Sequence, residues 1–436
     1  MTNTPRPAVP YPSSQAPPAW APPPPPPWYL PPAASGRSLA PDLARGLMLL
    51  LIACANSTWY LWGRPSGLGS AHPTDGSALD KALQAVMAVA VDGRIYPMFA
   101  LLFGYGMVQF ARSRAGRGLP PAAIKHQLFR RHWLLIGFGF VHALLLFGGD
   151  ILGSYGLAGL VLAGLLFDRS DRVLRRWLIV FAILIAAWAA LTSAMAALLM
   201  WALDQDPALA TEIDASMTSF GGLADMASGH AHYLTALLWR VLLWLGGTPS
   251  SVLTLIVPFM VVLGWLAARR GVLEHPDRHR RLLIGVAVTG ITVGWLGGLP
   301  TALQHLGVLG LPASLSWAPM PLSTATGVFA GAGYAALFAL IASRLRRPGP
   351  VSGAIAALGR RSLSGYLWQS IVMAPLLAAW GLGIGGRLGT AGMLAIAAGV
   401  WLASVVIAAR LEARGRPGPF DALLRRLVSR PGHARG

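Results

Sequence analysis

The chain has 436 residues, 55% of them hydrophobic and only 12% charged, with a net charge of +19 that is almost wholly arginine. A soluble domain carries about 25% charged residues, so this composition excludes a two-domain cytosolic enzyme, a disordered scaffold and a nucleic-acid-binding protein. The positive excess fits loops on the cytoplasmic side of a membrane protein, and the single cysteine, Cys54, excludes an intrachain disulfide, a thiolate metal cluster and a redox pair.

Residues 1–41 form a separate segment holding 15 of the 34 prolines, including the run Pro22 to Pro27 followed by Trp28 and Tyr29. Proline lacks the N–H and fixes φ, so this segment is predicted to be an extended or disordered tail and not a helix. It reads either as a ligand for a proline-binding module or as a passive tail. It lacks the basic start and immediate apolar stretch of a signal peptide.

From residue 42 to 411 apolar segments of spanning length alternate with polar loops. Crossing the hydrocarbon takes about 20 apolar residues. Spans are predicted near 44–62, 94–111, 133–149, 151–167, 176–200, 252–269, 282–298, 320–343, 363–382 and 390–410. Segment 233–247 is apolar but carries Arg240 and reaches Gly246-Gly247-Thr248-Pro249. It is predicted to end there and to lie at the interface or against the bundle. Residues 412–436 read as a basic tail. The predicted fold is all-α: a polytopic integral membrane bundle of about ten transmembrane helices.

Charge sets the expected orientation. Loop 112–132 holds Arg112, Arg114, Arg117, Lys125, Arg130 and Arg131 and no acid, and arginines also dominate 168–176, 269–281, 344–347 and the C-terminal tail. Loop 201–239 has Asp204, Asp206, Glu212, Asp214 and Asp225 with no Lys or Arg, and loop 299–319 has neither acid nor Lys or Arg. The positive-inside rule then predicts an inner plasma membrane protein with both termini cytoplasmic.

Ionisable and polar groups within or beside spans are costly and become functional candidates. Asp42 and Arg45 open the first span. Asp42 reads as an N-cap and Arg45 as a snorkelling cation, or Arg45 as the holder of an anionic ligand. Asn56 lies three turns further along and reads equally as a helix–helix hydrogen bond. Asp92 and Arg94 enter the second span, as an ion pair or as site residues, with Gly104 and Gly106 permitting close helix approach. His142 lies among apolar neighbours in the third span, with Asp150 just past Gly148-Gly149 and Tyr155 beyond. Imidazole titrates near neutrality and suits general base work. Eight residues of continuous helix rise about 12 Å, so His142 and Asp150 meet only if the glycine pair breaks the helix; otherwise Asp150 caps the next one. Arg360 and Arg361 precede Tyr366, Gln369 and Ser370, which share one helical face. His230-x-His232 is a weak metal signal, and no HExxH, Walker loop or dinucleotide fingerprint occurs.

These motifs resemble the YeiB-like bacterial membrane proteins over roughly residues 38 to 430. The resemblance rests on Asp42-Leu43-Ala44-Arg45-Gly46, Phe99 to Gly106, His142 with Gly149-Asp150-Ile151-Leu152 and Tyr155, Gly359 to Ser370, and Gly418 to Arg426. Ser364-Gly365 departs from the Thr-Asn often found in the family, and Ala100 from Ser. The family is similar, more distantly, to transmembrane acyltransferases such as heparan glucosaminide N-acetyltransferase and bacterial sugar O-acetyltransferases.

That relation implies transfer of an acyl group from cytoplasmic acyl-CoA, such as acetyl-CoA, to a hydroxyl or amine of an envelope glycan or lipid acceptor. Arg45, Arg360 and Arg361 are then expected to hold the donor's phosphates. His142 is expected to act as the base, with Asp150 or Asp92 orienting it or the acceptor. Asp42, Asn56, Arg94, Tyr155, Tyr366 and Gln369 complete the candidate binding set. The bilayer, the donor and the acceptor are the expected partners. No resident cofactor, metal or nucleic acid is expected. A small-molecule transporter or exporter and a non-catalytic membrane anchor are the rival readings, although no inverted repeat is visible.

Overall fold

The computed structural model describes residues 26–28, 39–66, 70–206, 208, 211–213, 222–345 and 349–429. Among them the chain is helical, with one isolated antiparallel bridge between Ser66 and Pro73. In hydrocarbon each backbone N–H and C=O must be satisfied within its own segment, which selects helices for long apolar runs.

Ten helices overlap the ten segments read as spans: α1 (Leu39–Ser57), α3 (Ile95–Ala115), α4 (Pro121–Leu145), α5 (Leu152–Leu165), α6 (Asp171–Gln205), α9 (Ile256–Arg269), α10 (Arg280–His305), α11 (Met320–Arg344), α13 (Ser362–Leu377) and α14 (Thr390–Ala413). Between and after them lie α2 (Ala78–Ala90), α7 (Leu223–Ser228), α8 (Tyr233–Leu253), α12 (Pro350–Gly359) and α15 (Pro419–Ser429). By length and composition, six helical segments suffice to cross a membrane: 78–115, 171–205, 233–253, 280–305, 313–344 and 390–413. Helices α5, α9 and α12 are apolar but shorter. The chain is therefore a helical membrane protein.

Two ends of the bundle differ in chemistry. At the basic end Arg269 donates to Phe167 O at 2.6 Å and to Asp171 at 2.9 Å, while Arg112 pairs with Glu274 at 3.6 Å. These contacts gather the arginine-bearing turns after α3, α5 and α9. At the far end Trp62 donates to Leu377 O at 3.0 Å, Arg64 to Leu388 O at 2.7 Å, and the Tyr233 hydroxyl to Leu145 O at 2.9 Å. Small residues set the closest crossings. A Cβ on Gly104 would collide with the Val261 backbone, and one on Gly264 with Leu101 O, so α3 and α9 pack backbone to backbone.

Several boundaries differ from expectation. Helix α8 does not end at Gly246-Gly247-Thr248-Pro249. It runs through Pro249 to Leu253, since both glycines face open space and Pro249 forfeits only one ladder bond. The break comes at Leu255, whose φ of 62° is left-handed, and the chain turns there into α9. Helix α8 packs across the far ends of α4 and α5: Arg240 donates to Leu144 O at 3.2 Å and Trp244 reaches Asp150. The expected outer loop before α3 contains α2, started by a capping box in which Ser77 and Asp80 exchange hydrogen bonds.

Most of the proline-rich segment lies outside the described residues, but Trp28 is packed on the basic end with 2% exposure. Within the segment read as a basic tail, α15 is tied to α13: Asp421 accepts from Ser364 Oγ at 2.6 Å and from its N–H at 3.1 Å. Ser364, which departs from the family pattern, thereby has its own polar contact. Burial raises the Asp421 carboxyl above the usual carboxylate range, against the lowering effect of those donors.

Candidate functional site

The centre of the site is the junction between α4 and α5. Helix α4 stops because the N–H groups of Leu146 and Phe147 both fold back onto His142 O, at 2.9 and 3.1 Å. Gly148 and Gly149 then carry the chain past Arg240, whose backbone would press at 3.1 Å on any Cβ at Gly148. The turn returns Asp150 to His142, and Nδ1 of the ring lies 2.8 Å from Oδ1. The other oxygen, Oδ2, accepts the Gly153 N–H at 2.7 Å and the Trp244 indole N–H at 3.4 Å. The two alternatives open in the sequence are both realised, one on each carboxylate oxygen: Asp150 orients the histidine and caps α5.

Both side chains are excluded from solvent, at 1% and 0% exposure. A carboxylate at Nδ1 places the imidazole proton there and turns the lone pair to Nε2. His142 Nε2 is buried without a hydrogen-bond partner. The Tyr366 ring stands edge-on to His142 at 5.2 Å, and its hydroxyl accepts the Ile151 N–H at 3.3 Å. Tyr155 stacks on Phe99 at 5.0 Å and donates to Tyr96 O at 2.8 Å. An imidazole with an unpartnered Nε2 and a carboxylate on its Nδ1, both excluded from solvent, is suited to removing a proton from a hydroxyl or amine brought to Nε2.

Two cavities flank this junction at the far end. A cleft of about 520 Å³ is lined by Asp150, Gly149, Ser154, Trp244 and Trp59. A wider cavity of about 1140 Å³ is lined by Asn56, Trp59, Asp92, Arg94, Tyr96, Phe99, Ile151 and His305. Trp59 belongs to both walls.

Asp92 is not beside His142. It pairs with His72 Nε2 at 2.6 Å on the wall of the wide cavity. Arg94 is committed to protein acceptors: the Asp92 carbonyl, Ser323 Oγ at 2.8 Å and Gly294 O at 3.0 Å. It thereby ties α3 to α10 and α11. Gln369 bridges helices by donating to Leu49 O at 2.8 Å.

At the basic end Asp42 lies 3.5 Å from Arg45 and 3.9 Å from Arg360. Arg360 and Arg361 close on the two oxygens of Glu412 at 2.7 and 2.6 Å. Arg361 also donates to Ala357 O at 3.0 Å and Arg416 O at 2.5 Å and is buried. These contacts make Arg361 a strut joining α13 to α14. Arg131 and Arg114 are placed differently. Arg131 sits over Phe103 at 5.2 Å and Arg114 over Phe110 at 4.9 Å, and Arg45 is near enough to Arg131 for the two to repel. Arg131 Nη1 and Arg114 Nε are buried without a partner.

Sequence reasoning passed over His72, Trp244, Glu412 and the role of Arg131. His72 stands in a loop without pattern, and nothing local marks it as the partner of Asp92. Arg131 lies in a basic run and has the signal of any inner-loop cation. Among the described residues no group of three His, Cys, Asp or Glu is placed to hold a metal ion.

Fold and site together define a polytopic helical membrane protein with a buried His–Asp pair between a basic end and a polar cavity. Residues 267–431 match the family described as a protein of unknown function (DUF418). The chain is 26% identical over 400 residues to the uncharacterized protein YxaH of Bacillus subtilis (strain 168), covering 88% of this chain and 92% of that one. It is also 26% identical over 410 residues to the uncharacterized protein YeiB of Escherichia coli (strain K12), covering 90% and 97%. The chain is thus a distant homologue of both and is YeiB-like, as its motifs imply. No solved structure matches it.

Proposed function

We propose that the chain is a membrane acyltransferase that moves an acyl group from acyl-CoA at its basic end to a hydroxyl or amine acceptor entering at its far end. The observation that carries the reading is the buried His142–Asp150 pair with its unpartnered Nε2. Arg114 and Arg131, beside the Asp42-paired Arg45, offer guanidinium groups to the donor's phosphates. Arg361 does not, since protein acceptors already hold it. The acceptor enters from the wide cavity, in whose wall Asn56, Asp92 and His305 stand.

In the reaction His142 Nε2 takes the proton from the acceptor hydroxyl or amine as its oxygen or nitrogen attacks the thioester carbonyl. The carbon–sulfur bond breaks, the acyl group stays on the acceptor, and the departing thiolate of CoA recovers the proton from the imidazolium. Asp150 holds the ring through both transfers and stabilises its cationic form. The dry bundle limits loss of the thioester to water. In this reading the basic end and both termini face the cytoplasm of an inner membrane, a placement that the arginine distribution supports.

The test is saturable binding of acetyl-CoA to detergent-purified protein, followed by acyl transfer to a mixture of envelope glycans and lipids. Absence of saturable binding sinks the proposal. A carrier would use the same wide cavity, but it forms no acylated product.

A further inference from the structure

Among the described residues of the proline-rich segment, Trp28 packs against the basic end of the bundle, with 2% exposure. Its indole N–H donates to Asp168 Oδ1 at 3.0 Å. Its ring stacks on Phe167 at 5.8 Å with an interplanar angle of 23°. Its carbonyl accepts from Arg112 Nε at 3.4 Å. Each polar group of the residue that faces the bundle therefore meets a complementary group.

The socket is held by contacts that do not involve Trp28. Phe167 packs edge-on against Trp265 at 5.1 Å, and its carbonyl accepts from Arg269 at 2.6 Å. Asp168 Oδ2 accepts from Lys125 Nζ at 2.6 Å. Arg112 is anchored to Glu274 at 3.6 Å. An aromatic shelf, a carboxylate at its edge and a donor for a main-chain carbonyl are the elements by which grooves take extended proline-rich peptides. Such peptides dock at small entropic cost because proline fixes the backbone beforehand. In the sequence Trp28 directly follows six prolines.

We infer that Phe167, Asp168 and Arg112 form a peptide-binding socket at the basic end, and that the chain's own proline-flanked Trp28 is its occupant. The proline-rich segment is then an intramolecular ligand that ties the N-terminus to the turns after α3 and α5. This assignment is independent of the acyltransfer reading. It differs from both sequence-based views of the segment, a passive tail and a ligand kept for an external module. Tethering gives the occupant an effective concentration on the order of millimolar, so an external competitor for Trp28 faces that barrier.

The test uses the full chain labelled with 5-fluorotryptophan in detergent. The Trp28 fluorine resonance is identified by its disappearance in Trp28→Phe. A water-soluble paramagnetic agent should broaden this resonance several-fold less than the same residue in a free synthetic peptide of residues 20–32. Asp168→Ala should restore broadening to near the peptide's level. A wild-type Trp28 broadened as strongly as the free peptide overturns the proposal. Unchanged shielding in Asp168→Ala overturns it as well, because the carboxylate would then hold nothing.

Discussion

Nδ1 of His142 lies 2.8 Å from Oδ1 of Asp150, eight residues on in the chain. The contact exists because α4 stops at Leu145 and two glycines turn the chain back. The pair separates catalysis from mere support. His142→Gln keeps a hydrogen-bonding side chain but has no base near neutral pH. It is expected to fold, to bind donor, and to transfer about 10²- to 10⁴-fold more slowly, the usual share of general acid–base catalysis. Transfer by the purified variant, normalised to folded protein, checks this, and wild-type turnover would remove His142 from the mechanism.

Asp150 has a second duty, since Oδ2 caps α5 through the Gly153 N–H. Asp150→Ala strands three buried N–H donors, on His142, Gly153 and Trp244, and should cost roughly 1–3 kcal/mol of stability. Asp150→Asn retains an acceptor for one donor and should lose less. It no longer fixes the proton on Nδ1, so transfer should still fall by about 10² or more. Thermal unfolding and transfer rates measured on both variants distinguish the two duties. Equal activity losses that simply track stability would leave Asp150 a cap alone.

The proposed sidedness rests on charge and is open to labelling. In a Cys54→Ser background, a cysteine at Val308, which is 66% exposed in the turn after α10, should react with an impermeant thiol reagent on intact cells. One at Arg117, exposed in the turn after α3, should react only after lysis. The opposite pattern reverses the orientation and moves the donor site to the other face.

Apolar helices were legible because long apolar runs fold as helices in hydrocarbon, and each of the ten expected segments overlaps a helix, although six helical segments, 233–253 among them, have spanning length. The meeting of His142 with Asp150 was legible as a condition on Gly148-Gly149, because the rise per residue makes any unbroken path too long. Partners far apart in sequence were not. Arg361 reads as a free cation until α14 brings Glu412 to 2.6 Å, and Asp92 reads as a partner for Arg94 or His142 until a patternless loop delivers His72. Local pattern reports what a side chain needs, and only the packing of helices decides which residue supplies it. Helix α2 was missed for a related reason: its polar face resembles a loop by hydropathy, and only its Ser77–Asp80 capping box marks its start.

The arginines of the basic end carry the last prediction. Arg131 Nη1 is buried over Phe103 with no partner, while every charged contact of Arg361 ends on protein. If Arg131 holds the donor's phosphates, Arg131→Gln should leave the fold intact, relieve the repulsion with Arg45, and weaken acetyl-CoA binding. One charge-assisted hydrogen bond is worth about 1.5–3 kcal/mol, which corresponds to roughly a 10- to 150-fold rise in Kd. Arg361→Gln should act in the other direction: a lower melting temperature, since Glu412 loses a close partner, with donor affinity in the folded fraction little changed. Isothermal titration and thermal unfolding of the two variants measure both quantities. Donor affinity that falls in Arg361→Gln and holds in Arg131→Gln would move the phosphate site from the α3–α4 face to the α13–α14 face.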